Sequence, residues 1–511
     1  MKKRFLFTAV LLAGMIHAQT VQDVQQNLTE NSEKVETQQE VQQEVSFDSK
    51  QLMAGTVDST DENGAPVKKH YFTAIAAMML NNTLISSYNR FVTNSAWAKV
   101  TMDDALHFYE HEMSWDRDWY WTNFVLHPYQ GSLYYMASRS SNLNQLESFA
   151  VTVLGSSIWE WFCETNEPSK NDMIYTTVGA FAVGEMLYRL SIEGSEISKL
   201  LGYAINPDSL FTTWVTGERP RGTTGNIHEL SLKFSGGTAR TYTTFEKYFD
   251  SSSEVFPAFI SPEFNVVYND PYGWDSNTPY SQFEFTMGAK VGFGSGEGES
   301  SYEEKLMYDI YITSNGMIFS RAPDFGENKD TTIGLVFDYD FIWHSFVELS
   351  SLAPGFAIKQ RIRHAGGSKT EWQLHLDALL LGTTDYYYWR RESSLSPQFN
   401  SSPSGVACDY SYTYGAETVL KYKFTSKTGK IIDMDFHGYA MRVFKDQLQK
   451  GLDTGWELIG ITSLNGEIPV TEKVNVGLGN QLYVKKTFYD FVPEIFQSMY
   501  TGSVFVRLKL K

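Results

Sequence analysis

The stretch "SQFEFTMGAKVGFG", residues 281–294, alternates without a break. Phe283, Phe285, Met287, Ala289, Val291 and Phe293 fall on one side of an extended chain, and Gln282, Glu284, Thr286, Gly288, Lys290 and Gly292 on the other. Successive side chains of a strand point to opposite faces, so this segment has one greasy and one polar face. The dyad recurs in "TTIGLVFDYDF", where Asp338 and Asp340 oppose Phe337, Tyr339 and Phe341, and in "GFAIKQRIRH", "ETVLKYKFTSKTGKIIDMDFHGY" and "EKVNVGLGNQLYVKKTFYDF". It closes the chain in "SVFVRLKLK". Roughly 12 such segments follow Ile227, joined by turns such as "SKTGK". Long two-faced strands in an even number match a transmembrane β-barrel with lipid outside and a polar lumen inside.

Working outward, the other end of the chain agrees. "MKKRFLFTAVLLAGMIHAQ" sets Lys2, Lys3 and Arg4 before an apolar run too short for a bilayer core of about 30 Å, which reads as a cleaved signal peptide over residues 1–18. Residues 19–66 are rich in Gln, Glu and Val and read as a flexible leader, with binding of an envelope protein as its sharper role. Outer membrane is the expected location, with membrane lipid as the expected partner. The formal charge of −18 excludes a nucleic-acid partner, whose phosphates demand a basic surface. Aromatic residues make up 15% of the chain, which suits the aromatic girdles of a barrel. With only Cys163 and Cys408 there is no disulfide framework.

Between leader and strands, residues 67–194 have helical periodicity, and 195–511 are assigned to the barrel. The fold class is therefore α+β: a helical module followed by an antiparallel barrel of about 12 strands, with the helices expected in or against the lumen as a plug. Inward charges of both signs, Asp338, Asp433 and Asp435 against Lys359, Arg361, Arg363 and Arg507, suit a filled lumen better than a charge-selective pore. In the module, Ser169 and Asp172 form a capping box, and Gly179 and Gly184 imply close approach of a neighbouring element. Glu160 and Glu164 lie one helical turn apart, as do Glu185 and Arg189.

His127, Glu160 and Glu185 are the candidate catalytic groups, an imidazole with carboxylates to orient it or to share a metal, with Arg139 beside them. The simpler reading is a buried ionic network that ties helices together. No His-Glu-x-x-His, Gly-x-Ser-x-Gly or phosphate loop occurs, no cofactor or metal ligand set is assigned, and enzymatic activity stays open.

"SWDRDWYWTNFVLHPYQGSLYYMASRSS" and "GSSIWEWFCETNEPSKNDMIYTTVGAFAVGE" resemble a family of Gram-negative envelope proteins known only as domain of unknown function 3943. The resemblance covers roughly residues 70 to 192. It rests on Trp115, Asp118, Asn123, His127, Pro128, Gly131, Tyr134, Tyr135, Arg139, Gly155, Ser156, Trp159, Glu160, Glu164, Pro168, Ser169, Asp172, Gly184 and Glu185. It implies an envelope location and a helical module joined to a β-rich region, and no activity. Three roles follow in order: a structural or transport part of the envelope, a membrane-embedded hydrolase or lipid-modifying enzyme using His127 with Glu160 and Glu185, and a scaffold that binds through the leader.

Overall fold

The computed structural model describes residues 67–116, 118–245, 250–296, 304–344, 346–385, 410–444, 455–490 and 493–511. The signal peptide, the leader and Cys408 lie outside them. Twelve strands form one closed antiparallel barrel, each paired with its neighbours in sequence and the first with the last. They are β1 (Ile227–Phe245), β2 (Asp250–Tyr268), β3 (Phe283–Gly296), β4 (Glu304–Arg321), β5 (Lys329–His344), β6 (Glu348–Arg363), β7 (Lys369–Asp385), β8 (Tyr410–Thr425), β9 (Ile431–Val443), β10 (Trp456–Pro469), β11 (Val474–Phe488) and β12 (Ile495–Lys509). Closure runs through a long ladder between β1 and β12, from Ser231 opposite Lys509 to Thr244 opposite Phe496. Closing the sheet leaves no free edge to pair with other chains. At the end carrying both the start of β1 and the end of β12 the turns are mostly short. There Gly367 and Gly429 take the positive φ values, 81° and 78°, that the β6–β7 and β8–β9 turns need.

Cross-barrel contacts fix which face is which. Asp340 on β5 meets His437 on β9 at 3.2 Å, Lys421 on β8 meets Glu284 on β3 at 2.9 Å, and Lys290 on β3 reaches Gln481 on β11. These residues point into the lumen, so their neighbours along each strand point out. Outward residues such as Leu478, Val504, Ile260 and Phe293 are more than 60% exposed, an apolar belt like that of outer-membrane barrels.

The helical module comprises α1 (Tyr71–Ser87), α2 (Met102–Leu106), α3 (His127–Ser140), α4 (Gln145–Phe162), α5 (Lys170–Ile174), α6 (Ala180–Ile197), α7 (Lys199–Ile205) and α8 (Asp208–Thr216). Single π-helical turns at Thr122–Leu126 and Tyr175–Gly179 lead into α3 and α6. Helices thus continue to Thr216, past the boundary set at residue 195, and strand begins at Ile227. No helix among the described residues is long and apolar enough to cross a membrane.

The expected placement of the helices in or against the lumen is corrected: they lie on the outer wall. Phe337, Tyr339 and Phe341 alternate with the lumen residues Asp338 and Asp340 and therefore face outward, yet all three are buried. The helices cover them. Tyr339 donates to the Phe124 carbonyl at 2.5 Å, Tyr120 stacks on Phe341 at 5.3 Å, Trp121 meets Trp343, and Tyr175 bonds the outward Ser350 on β6. The physical reason is that the strands line the lumen with charged and polar side chains, whereas the module keeps its charges among its helices and turns aromatic rings to the wall. Its free surface is also apolar, with Phe72 85% and Trp214 81% exposed beside Leu84, Phe91, Trp119 and Leu200.

Candidate functional site

The motif residues sort into three groups. Trp115, Asp118 and Asn123 dock the module onto β8. The Trp115 ring stacks on Tyr412 with centroids 4.7 Å apart, and Asn123 Nδ2 donates to the hydroxyls of Tyr410 and Tyr412 at 2.8 and 3.1 Å. Those hydroxyls in turn donate to the backbone carbonyls of Asp118 and Asp116. The two tyrosines point outward on β8, so a polar latch has formed on a surface that alternation alone assigns to lipid.

A second group ties α3 to α6. Arg139 Nε donates to Glu185 Oε2 at 2.8 Å, Arg189 reaches Glu185 Oε1 at 2.9 Å, and the Tyr135 hydroxyl donates to the same carboxylate at 3.0 Å. Glu185 is fully buried and Arg139 nearly so, with its guanidinium over the Tyr188 ring. Two arginines hold this carboxyl below the usual carboxylate range although burial opposes them. A carboxylate so fully engaged has no spare oxygen with which to steer an imidazole. Tyr134, one residue earlier, bonds Gln130 and Asn82 instead.

His127 belongs to the third group. It follows directly on the π turn Thr122–Leu126, and Pro128, which has no amide to donate back along the helix, sits where that turn gives way to α3. Its Nε2 lies 3.6 Å from Asp172 Oδ1 and its Nδ1 3.3 Å from Thr176 Oγ1. Burial lowers the imidazole to about 4, so it is neutral. Ser169 caps α5 by accepting from the Asp172 amide, while its own amide donates to Glu160 at 2.8 Å. Trp159 donates to Glu164 at 2.6 Å. Burial, and after it mutual repulsion, raises Glu160 to about 7 and puts Glu164 and Asp172 well above the usual range. The result is a cluster of acids with raised affinity for protons, of which Asp172 stands beside a neutral imidazole. No serine or cysteine among the described residues bonds His127, and Cys163 is half-buried with its thiol pushed up to about 11 by burial.

The structure therefore brings His127 to Asp172 and Glu160 to Ser169, and gives Glu185 other partners. The motif glycines are contact points between helices. A Cβ on Gly131 would stand 1.8 Å from the Thr176 carbonyl oxygen, and one on Gly155 2.8 Å from Tyr134 and Met78. Gly179 meets Pro128 and Gly184 meets Tyr135 at just over 3 Å.

The lumen holds groups that sequence reasoning assigned to no site. Asp338, His375 and Asp377 form one cluster and Asp340, Glu417 and His437 another, with all the reacting atoms of each set within 4.8 Å of one another. The signal was present in the sequence as "FDYDF", "LHLDA" and "DMDFHGY", which space acids and histidines two apart on one strand face. Below them the described residues leave a cavity of about 670 Å³, running from Lys369, Gly429 and Lys511 at the short-turn end up to Tyr439, Tyr483 and Met499. There an apolar layer crosses the lumen: Phe346 and Val347 from the β5–β6 turn pack against Tyr439, Met441, Ile459, Tyr483 and Met499.

Residues 112–204 match the model of a domain of unknown function, DUF3943. This is the module and its docking segment, which contain the residues that carried the resemblance in sequence. No curated protein matches the chain. Among solved structures, a Pseudomonas aeruginosa FadL homologue is similar at 7% identity, over 55% of this chain and 90% of its own, with a TM-score of 0.25. The outer membrane phospholipase A of Escherichia coli is similar at 9% identity, over 55% and 97%, with a TM-score of 0.22. The COG4313 outer membrane channel of Pseudomonas putida F1 is similar at 8%, over 54% and 95%, with a TM-score of 0.27. The barrel assignment rests on the closed strand ladder itself.

Proposed function

We propose that the protein is a structural component of the outer membrane: a barrel closed to free diffusion that carries the DUF3943-type module on its lipid-facing wall. The observation that carries this reading is the apolar layer of Phe346, Val347, Tyr439, Tyr483 and Met499, which packs within the lumen above the polar cavity. A diffusion pore needs a continuous wet path. The module's apolar free surface joins the barrel's belt, so membrane lipid is the partner that covers both. Transport is the second reading, favoured by the cavity, and requires the layer to move. The hydrolase reading has less behind it, because Glu185 is occupied by two arginines and His127 faces Asp172 and Thr176 rather than a serine or cysteine nucleophile. Planar-bilayer recording tests the proposal: the purified protein should give no steady open-channel current, and stable conductance steps from the wild type would overturn it.

A further inference from the structure

The geometry points to a divalent transition-metal centre in the barrel lumen, held by Asp340, Glu417 and His437 with Asp338, His375 and Asp377 beside them. This goes beyond the structural role proposed above and does not depend on it. The six side chains come from β5, β7, β8 and β9, and barrel closure alone brings them together. Each has an extent of exposure below a tenth except His437, which borders the cavity and gives an ion a way in.

Three observations argue for a ligand rather than a packed acid cluster. Both oxygens of Asp377, both oxygens of Glu417 and the Nε2 of His375 are buried and meet no hydroxyl, amide or cationic donor among the described residues; Asp377 faces the carboxylate of Asp338, and Glu417 that of Asp340. The nearby lysines are engaged elsewhere, Lys359 with Glu284, Gln282 and Asn315, and Lys421 with Glu284. The histidines are already oriented, as a metal site requires: His375 Nδ1 lies 2.8 Å from Asp338, while His437 lies between Asp340 at 3.2 Å and Asp435 at 3.1 Å. Tyr439 donates to Asp340 at 2.6 Å and fixes its rotamer. Several carboxylates buried without a cation are strongly unfavourable, and a bound dication removes that repulsion. Imidazole mixed with carboxylate selects zinc, manganese or ferrous iron over calcium and magnesium, which prefer all-oxygen shells.

The test uses the full chain in detergent, stripped with chelator and dialysed against zinc chloride, with bound zinc measured by elemental analysis. Wild type should retain zinc, and cobalt chloride should give the visible absorption of a nitrogen- and oxygen-ligated ion. Glu417→Gln and Asp377→Asn should each weaken zinc binding at least tenfold, and the double variant should retain none. Both changes remove repulsion in the metal-free protein, so folding is expected to survive, and heat-modifiable gel mobility verifies it. Equal zinc in wild type and a folded double variant would overturn the proposal, since the acids would then be sharing protons. So would the loss of zinc being confined to substitutions of exposed surface acids.

Discussion

Replacing Glu185 with alanine removes the anion on which two arginines and a tyrosine converge. Arg139 is 3% exposed and would keep only the Leu143 carbonyl and the Tyr188 ring as neighbours. Breaking one partner out of a buried pair costs about 3–5 kcal/mol, because a charge is left without compensation in a low-dielectric surrounding. Arg189 is partly exposed and already donates to the Pro279 carbonyl, so its share is the smaller one. Urea unfolding in lipid vesicles, followed by tryptophan emission, reads the module while the barrel stays folded, since seven of the 12 tryptophans, Trp115, Trp121 and Trp159 among them, lie between residues 97 and 214. Gel mobility before and after heating reads the barrel separately. Glu185→Ala should lower the module's stability by about 3–5 kcal/mol while the barrel keeps its mobility shift. The double variant with Arg139→Ala should recover about 1–3 kcal/mol of the loss, as neighbours in one network are not additive. A Glu185→Ala protein that unfolds within about 0.5 kcal/mol of wild type would refute the network argument, because even a surface substitution can do as much.

Three further outcomes are expected. Gly131→Ala should separate α3 from the turn at Thr176 and cost several kcal/mol, since its Cβ would overlap a backbone oxygen; unchanged protease resistance of the module would contradict this. Tyr410→Phe with Tyr412→Phe strips the latch from Asn123 and two carbonyls, so the module should become cleavable by added protease with the barrel intact, at about 1–3 kcal/mol for each donor left unpaired. Burial raises Glu160 above its ordinary value to about 7, so the stability its neutral form contributes is complete below about pH 4.5 and is lost as pH rises through 7, a change of about 3 kcal/mol. Glu160→Gln should lessen that slope by its share when urea midpoints at pH 5 and pH 8 are compared, with Glu164 and Asp172 supplying the remainder; an identical slope in both proteins would contradict it.

The barrel was legible because its signal is local. Phe283 and Glu284 sit on opposite faces in any strand, and a dozen such strands with one greasy side leave few other ways to bury it. The place of the helices was not legible, and Tyr339, Phe341, Tyr410 and Tyr412 show why. An outward aromatic ring reads the same in sequence whether lipid or a helix covers it. The docking role of Trp115 and Asn123 depends on residues nearly 300 positions away. Close helix contact at Gly179 and Gly184 could be foreseen because glycine within a helix is unfavourable without a reason. The separation of Glu185 from His127 could not, since they lie on two helices whose mutual rotation depends on the close contacts at Gly131 and Gly184. The lumen clusters combine the two cases: the spacing of Asp338 with Asp340 is local, but Asp340 meets His437, 97 residues on, only when the cylinder closes.

The proposed function places the module outside a closed barrel, within reach of acyl chains. Single spin labels at Phe72, Trp214, Leu478 and the lumen residue Ser463, introduced with Cys163 and Cys408 replaced, can be read in reconstituted bilayers by their relaxation with oxygen against a water-soluble nickel complex. Labels at Phe72, Trp214 and Leu478 should be relaxed mainly by oxygen, and the label at Ser463 should be shielded from it. Nickel-dominated relaxation at Phe72 and Trp214, with Leu478 still in lipid, would place the helices in water and contradict the claim.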